Sequence, residues 1–217
     1  MSAEIARQLD LPVISVEYRL APEHPWPAAP DDAEAAARWI CEHGSAFDRS
    51  ITSLILCGDS AGGALTLVTA LALHARPAAV PVMLQIAIYP QADPDGQWGY
   101  ESGKAFADGY VLSSEGMRFY QEAYRPEPGH WRGTPLVADQ HGTPPLLLVT
   151  AALDPLRDQG RAYAAKAIAA GVTTTYREVP GTIHGFATFR RAIPSAQPDF
   201  LAVLALADSM IRAELAD

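Results

Sequence analysis

Cysteine is scarce in this sequence. The 217 residues contain two, Cys41 and Cys57, and the interval between them is not the spacing of metal ligands. We therefore expect neither a disulfide framework nor a cysteine-based zinc site. No His-Glu-x-x-His or His-x-His pair occurs either, so we expect no metal and no other cofactor. The low cysteine content fits a reducing compartment, and we expect a cytoplasmic protein.

Positive charge and long apolar runs are also in short supply. The 16 Lys and Arg residues stand against 25 Asp and Glu residues, which gives a net charge of −9. Nucleic-acid binding is not expected, because neutralising phosphates needs clustered cations. No apolar run approaches the ~18 residues of a membrane span. Residues 1–10 are polar and do not have the charged and then apolar segments of a signal peptide, so we expect none.

The composition that remains is that of a globular protein, with 49% hydrophobic and 19% charged residues. The length favours one domain over two, and we predict a single domain over residues 1–217. Five short apolar or β-branched runs predict strands, at 13–18, 51–57, 82–89, 146–151 and 173–179. Helical patterns surround them, at 3–9, 31–39, 61–75, 114–124, 155–170 and 198–215. This alternation predicts an α/β fold with a mainly parallel sheet flanked by helices.

Residues 91–143 interrupt the alternation with many aromatic residues set among Gly, Pro and Asp. A connection of this length exceeds the usual loop, and such insertions often carry binding surfaces. We expect its aromatic side chains either to line a substrate pocket or to form a satellite hydrophobic cluster at the edge of the domain.

One short motif points to chemistry. Gly58-Asp59-Ser60-Ala61-Gly62 fits the G-x-S-x-G pattern, between a predicted buried strand and an Ala-rich helix. A nucleophile elbow needs small residues there, because strand and helix approach closely around a strained serine. Ser60 would lie at the helix N-terminus, and the Ala61 N–H would point at a developing oxyanion. The alternative is an ordinary glycine-rich turn.

A serine nucleophile needs a base, and the base needs an orienting group. In folds with this elbow the chain order is Ser, then Asp or Glu, then His. Asp154 and His184 each follow a predicted strand in that order. Alone, Asp154 would more simply be a helix N-cap and His184 a surface residue. Asp158, one turn further along, is the next candidate for the acid.

Taken together, these motifs resemble the hormone-sensitive lipase family of α/β-hydrolases, in its bacterial carboxylesterase branch. The resemblance runs the whole length of the chain and rests on four segments: Tyr18-Arg19-Leu20-Ala21-Pro22-Glu23-His24-Pro25, Gly58-Asp59-Ser60-Ala61-Gly62-Gly63, Asp154-Pro155-Leu156-Arg157-Asp158 and His184-Gly185-Phe186. It implies an α/β-hydrolase fold and a carboxylesterase that acts on small esters. Ser60 would be the nucleophile, His184 the general base and acid, Asp154 the orienting acid, and the Ala61 N–H an oxyanion donor.

The sequence departs from the family's pattern at its start. Family members have an upstream half with a helical cap, three strands and a His-Gly-Gly-Gly loop that supplies further oxyanion donors; this sequence contains no such run. We therefore expect an N-terminally truncated sheet of about five strands. By the resemblance, the third upstream strand would lie between the strands at 13–18 and 51–57. Either these two close up, or another chain or segment fills the gap, because unpaired buried backbone groups cost ~1–3 kcal/mol each.

Three hypotheses follow. The first is a serine esterase that hydrolyses small, short-acyl esters through an acyl-enzyme. The second is a degenerate relative that keeps the triad but mainly binds a ligand or partner. The third, compatible with the first, is an incomplete gene product whose stability depends on self-association.

We expect a homodimer or higher oligomer, because residues 173–179 resemble the family's edge strand, which often pairs across a dimer axis, and because the missing strand exposes apolar surface.

Overall fold

A computed structural model describes residues 1–216. Its centre is a four-stranded sheet in the order β1-β2-β3-β4, and all three pairings are parallel. The strands are β1 (Leu54–Asp59), β2 (Val82–Ile88), β3 (Leu146–Leu153) and β4 (Thr174–Ile183). The predicted α/β fold with a parallel sheet is confirmed, with four strands where about five were expected.

Seven α-helices accompany the sheet in this part of the chain. They are α1 (Ser2–Leu9), α2 (Ala28–Glu42), α3 (Ala61–Ala75), α4 (Glu101–Ala105), α5 (Ser114–Tyr124), α6 (Arg157–Ala169) and α7 (Ala196–Glu214). The helix predicted inside the 91–143 insertion is confirmed as α5, whose N-terminus is capped by the Ser113 hydroxyl accepting from the Gly116 N–H at 3.1 Å. None of the helices in residues 1–216 is both long and apolar enough to cross a membrane.

The core lies on both faces of the sheet, as the predominantly apolar sequences of β2 and β3 require. Alternate residues of these strands face opposite ways. One face packs against α7 and α1, and its largest buried side chains include Phe200, Ile86 and Leu147. The other face packs against α3 and α6 through residues that include Leu148 and Tyr163. Both central strands are therefore packed on both faces, and Tyr89 and Asp154 directly follow them.

The prediction of a strand at residues 13–18 is wrong. The structure gives residues 11–20 no regular secondary structure. Within residues 1–216, β1 pairs with β2 alone, so the two segments have not closed up. Val13, Ile14 and Val16 are 37%, 41% and 38% exposed. The physical reason is that β-branched residues favour a strand only where a neighbouring strand and a packed face receive them.

Candidate active site

Ser60 lies at the junction of β1 and α3. Its backbone has φ 55° and ψ −118°, a conformation that side-chain-bearing residues rarely adopt. Two hydrogen bonds hold it there: the Ser60 N–H donates to the Ile88 carbonyl at 2.9 Å, and the Ala64 N–H donates to the Ser60 carbonyl at 3.1 Å. The sheet and the first turn of α3 thus fix a strained serine at the carboxyl edge of the strands.

Two glycines make this turn sterically possible. A Cβ on Gly58 would lie 2.2 Å from the Gly62 carbonyl oxygen, and one on Gly63 would lie 3.0 Å from the Ile88 carbonyl oxygen. By contrast, a Cβ on Gly62 would meet nothing within 4 Å. The close approach of strand and helix therefore explains Gly58 and Gly63, whereas no contact in the structure explains Gly62.

The structure brings Ser60, His184 and Asp154 into one line of hydrogen bonds. The Ser60 Oγ lies 2.8 Å from the Nε2 of His184, and the Nδ1 of His184 lies 2.7 Å from the Oδ2 of Asp154. Asp154 is fully buried and His184 is 7% exposed. When Nδ1–H donates to the carboxylate, the Nε2 of a neutral imidazole accepts from the serine hydroxyl. This is the arrangement that activates a serine for nucleophilic attack.

Asp154 also stabilises the turn into α6, which is part of the alternative role considered above. Its Oδ1 accepts from the Leu156 N–H at 2.8 Å, and its carbonyl oxygen accepts from the Arg157 N–H at 3.1 Å. Because one carboxylate oxygen serves the turn and the other faces His184, the turn holds the carboxylate in place. The helix itself begins at Arg157 rather than at the predicted residue 155.

The other acid candidate, Asp158, points into a different network. Its Oδ1 accepts from the Nε of Arg157 at 2.9 Å, and its Oδ2 accepts from the Ser102 N–H at 2.9 Å. Partial burial raises the pKa of Asp158, but these hydrogen bonds outweigh burial and hold the pKa below its ordinary value. Its recorded hydrogen bonds do not include His184.

The Ala61 N–H is available at the N-terminus of α3. Ala61 is the first residue of the helix, and the first N–H groups of a helix have no acceptor within it. The positive end of the helix dipole lies at the same place. An anion beside Ser60 Oγ would therefore meet a free donor and a favourable field. Among residues 1–216, no group of three or more His, Cys, Asp or Glu side chains is arranged to hold a metal ion.

Sequence reasoning missed one residue at this edge of the sheet. Tyr89 directly follows β2 and is 1% exposed, and its ring centroid lies 4.6 Å from that of the His184 imidazole. A signal for it was present, because the carboxyl ends of parallel strands gather the residues of a site. Ser60, Tyr89, Asp154 and His184 occupy that position on four strands.

Comparison with known proteins identifies the family. Residues 1–188 match a protein family whose description is alpha/beta hydrolase fold. The chain belongs to the alpha/beta hydrolase fold family. This alpha/beta hydrolase is 33% identical over 204 residues to an ethyl acetate hydrolase of Pseudomonas putida, a match that covers 92% of the chain and 64% of that protein. It is 35% identical over 198 residues to the carboxylesterase NlhH of Mycobacterium tuberculosis, covering 85% of the chain and 59% of the relative.

Solved structures of similar sequence share the fold. An esterase of Pyrobaculum calidifontis superposes with a TM-score of 0.89 at 32% identity, covering 98% of this chain and 69% of that one. An ester hydrolase from the metagenome of Lake Arreo superposes with a TM-score of 0.84 at 39% identity, covering 100% of this chain and 68% of that one. The alpha/beta hydrolase described here spans about six tenths of the length of the two curated relatives above, 64% and 59%.

Proposed function

We propose that this alpha/beta hydrolase is a serine carboxylesterase in which Ser60, His184 and Asp154 form the catalytic triad. One observation carries the proposal: the unbroken line of hydrogen bonds from the Ser60 hydroxyl through His184 to Asp154, at 2.8 and 2.7 Å. The names of two relatives, an ethyl acetate hydrolase and a carboxylesterase, support an ester as the substrate.

The reaction would proceed in two halves. Ser60 Oγ attacks the ester carbonyl carbon while its proton passes to Nε2 of His184, and Asp154 stabilises the imidazolium that forms. The tetrahedral intermediate collapses when His184 returns that proton to the departing alkoxide, which leaves an acyl group on Ser60. A water molecule then attacks the acyl-enzyme with His184 as its base, and the carboxylic acid is released.

Oxyanion stabilisation sets the expected rate. In the tetrahedral intermediate the former carbonyl oxygen carries a full charge, and the Ala61 N–H and the N-terminus of α3 face that charge. The chain contains no His-Gly-Gly-Gly run. Loss of one oxyanion donor typically lowers turnover by ~10²–10³. We therefore propose that these 217 residues alone hydrolyse activated esters slowly, unless another chain or segment supplies further donors.

We propose short acyl chains for the substrate, with residues 91–143 forming part of the pocket wall. The name of the Pseudomonas relative, which acts on an acetate ester, supports a short acyl group. Two aromatic residues of the insertion instead support the alternative of a satellite cluster, since Tyr124 and Trp131 pack against Leu65 and Val68. Phe119 is 63% exposed and so remains free to contact a substrate.

Hydrolysis of p-nitrophenyl acetate and p-nitrophenyl octanoate tests this function. We expect saturable turnover of the acetate, a lower kcat/KM for the octanoate, and no enzymatic turnover of either ester by Ser60→Ala. Binding of the esters without turnover by the parent protein would favour the second hypothesis, a degenerate relative that binds a ligand or partner.

A comparison of rates with a chimaera that carries an upstream His-Gly-Gly-Gly segment from a relative tests whether missing oxyanion donors limit turnover. Equal rates would show that they do not.

We further propose self-association, as at least a dimer. Both edges of the sheet support it, because β1 and β4 each have one neighbour within the described chain. An open edge offers unpaired backbone groups to another chain. The exposed side chains of Val13, Ile14 and Val16 add apolar surface. Light scattering at micromolar concentration should report a mass at least twice 23.2 kDa, and a folded monomer would contradict the proposal.

A cytoplasmic location remains part of the proposal. Cys41 and Cys57 are both free thiols in the structure, which fits a reducing compartment. Cell fractionation followed by activity labelling of the fractions would test it, and recovery in an extracytoplasmic fraction would contradict it.

A further inference from the structure

We propose that Asp59 and Tyr89 are positioning residues that hold the His184 loop against the nucleophile strand. The inference rests on the proposed function, because it assigns His184 as the base. It concerns residues that the triad itself does not use: the residue before the nucleophile and the residue that follows β2.

Tyr89 supports the imidazole from behind. Its ring meets the His184 ring at a centroid distance of 4.6 Å with the planes tilted by 55°, and it meets the Phe186 ring edge-on at 5.4 Å. Tyr89 and Phe186 are 1% and 0% exposed. Aromatic pairs in this geometry attract beyond the effect of buried area. The His184 imidazole therefore packs against the ring of Tyr89, which is itself buried against Phe186.

Tyr89 is in turn fixed at both ends. Its N–H donates to the Val149 carbonyl at 2.6 Å, which ties its backbone to β3. Its hydroxyl donates to the Oδ2 of Asp59 at 3.0 Å. Burial and the negative charge of Asp59 raise the pKa of Tyr89, so the phenol stays protonated and remains a donor.

Asp59 also binds the loop that carries His184. The Thr188 hydroxyl donates to the same Oδ2 of Asp59 at 3.1 Å. One carboxylate oxygen of Asp59, the residue before Ser60, thus accepts hydrogen bonds both from Tyr89, whose ring packs on the imidazole, and from Thr188 in the loop after His184. The hydroxyls of Tyr89 and Thr188 are the recorded side-chain partners of Asp59.

The catalytic consequence follows from geometry. Ser60 and His184 directly follow the two edge strands, β1 and β4, so their side chains have to meet across the carboxyl ends of β2 and β3. Displacement of a catalytic group by about 1 Å costs up to ~10²-fold in rate. The hydrogen bonds of Asp59 to Tyr89 and Thr188, which we call the clamp, would prevent that displacement. If these three residues served only folding, their substitution would leave the rate per folded molecule unchanged.

Steady-state kinetics with p-nitrophenyl acetate test the clamp. We expect Tyr89→Phe to lower kcat about tenfold with KM unchanged, because one buried hydrogen bond is lost while the ring remains. Asp59→Ala should lower kcat further, and Asp59→Asn should recover part of the loss, because an amide oxygen still accepts a hydroxyl. Tyr176→Phe is the matched control. It removes another tyrosine–carboxylate hydrogen bond, of 3.0 Å to Glu178, and should leave kcat unchanged.

A second readout does not depend on turnover. In the parent protein, proton NMR should show a far-downfield Nδ1–H resonance from His184, because that proton lies in a 2.7 Å contact with Asp154. We expect the signal to broaden or vanish in Tyr89→Phe and Thr188→Val and to persist in Tyr176→Phe. If Asp59→Ala fails to fold, these two variants carry the test.

The outcomes separate the two proposals. A parent protein that does not hydrolyse the ester, but whose Nδ1–H signal depends on Tyr89 and Thr188, would contradict the esterase and support the clamp. An active parent whose Tyr89→Phe and Asp59→Ala variants keep both kcat and the downfield signal would overturn the clamp and leave the esterase standing.

Discussion

Asp154 and His184 are neighbours because β3 and β4 end in register. The last pair in the parallel ladder is Leu153 with Ile183, so the next residue of each strand is a member of the predicted triad. The ladder shifts register between Ala151 and Leu153. The pair of residues leaving the sheet then meets at 2.7 Å between Nδ1 and Oδ2.

The first prediction concerns the charge of Asp154. Asp154→Asn should keep the fold but lower turnover by up to ~10⁴, by analogy with other triads whose orienting carboxylate is neutralised. Steady-state hydrolysis of p-nitrophenyl acetate measures the loss, and circular dichroism checks the fold. Asp158→Asn is the matched control, and its folded molecules should turn over at the parent rate. If Asp154→Asn kept the parent rate, Asp154 would only stabilise the turn before α6 and would not orient His184.

The second prediction separates two glycines of one motif. Gly58→Ala should lower the free energy of unfolding by more than the ~1–3 kcal/mol of ordinary overpacking, because its Cβ would meet the Gly62 backbone oxygen at 2.2 Å. Gly62→Ala should be neutral or stabilising by up to ~1 kcal/mol, since it lies in α3 with nothing within 4 Å of its Cβ. Thermal unfolding of the two variants measures the contrast. Equal Tm losses would contradict this view of the elbow.

Much of this site could be predicted from the sequence because its signals are local. The elbow at Ser60 combines a buried strand, small residues and an Ala-rich helix within one short segment. The order of Asp154 and His184, each after a strand, completed the prediction. The predicted end of β4, residue 179, is too early, since the strand runs to Ile183. The dipeptide Pro180-Gly181 is typical of a turn, and within the strand Gly181 adopts a positive φ of 65°.

What could not be predicted depends on partners distant in the chain. Residues 13–18 have strand composition, but strand formation needs a neighbour that the sequence of the segment does not specify. Tyr89 reads as the last apolar residue of a strand, and its contact with His184 depends on how two distant loops meet. The two hydrogen bonds of Asp59, to Tyr89 and Thr188, could not be predicted either, because both partners are distant in the sequence.

The third prediction concerns pH and the segment before α2. The Arg19 side chain and N–H donate to Asp32 at 2.7 to 3.1 Å. These bonds lower the pKa of Asp32 from 3.8 to about 2. A lowered carboxyl pKa stabilises the fold above 3.8 and loses that effect as the pH falls through about 2.

Asp32→Asn should therefore lower the Tm slightly at neutral pH, since the pair is partly exposed, with Arg19 at 51% and Asp32 at 25%. The difference in Tm between variant and parent should shrink towards zero below about pH 2. Arg19→Gln should give the same pH dependence, and the double variant should add little to either single one. A Tm difference that stays constant with pH would contradict the assignment.

The most direct test of the account is covalent labelling of Ser60 with a fluorophosphonate, followed by intact-protein and peptide mass spectrometry. We predict one adduct per chain, on Ser60, because among the serines of residues 1–216 only Ser60 combines a strained backbone at a helix N-terminus with a 2.8 Å contact with His184. His184→Ala should label far more slowly, since the proton of Ser60 then has no acceptor. An adduct on another serine, or an equal labelling rate in His184→Ala, would contradict a histidine-activated nucleophile at Ser60.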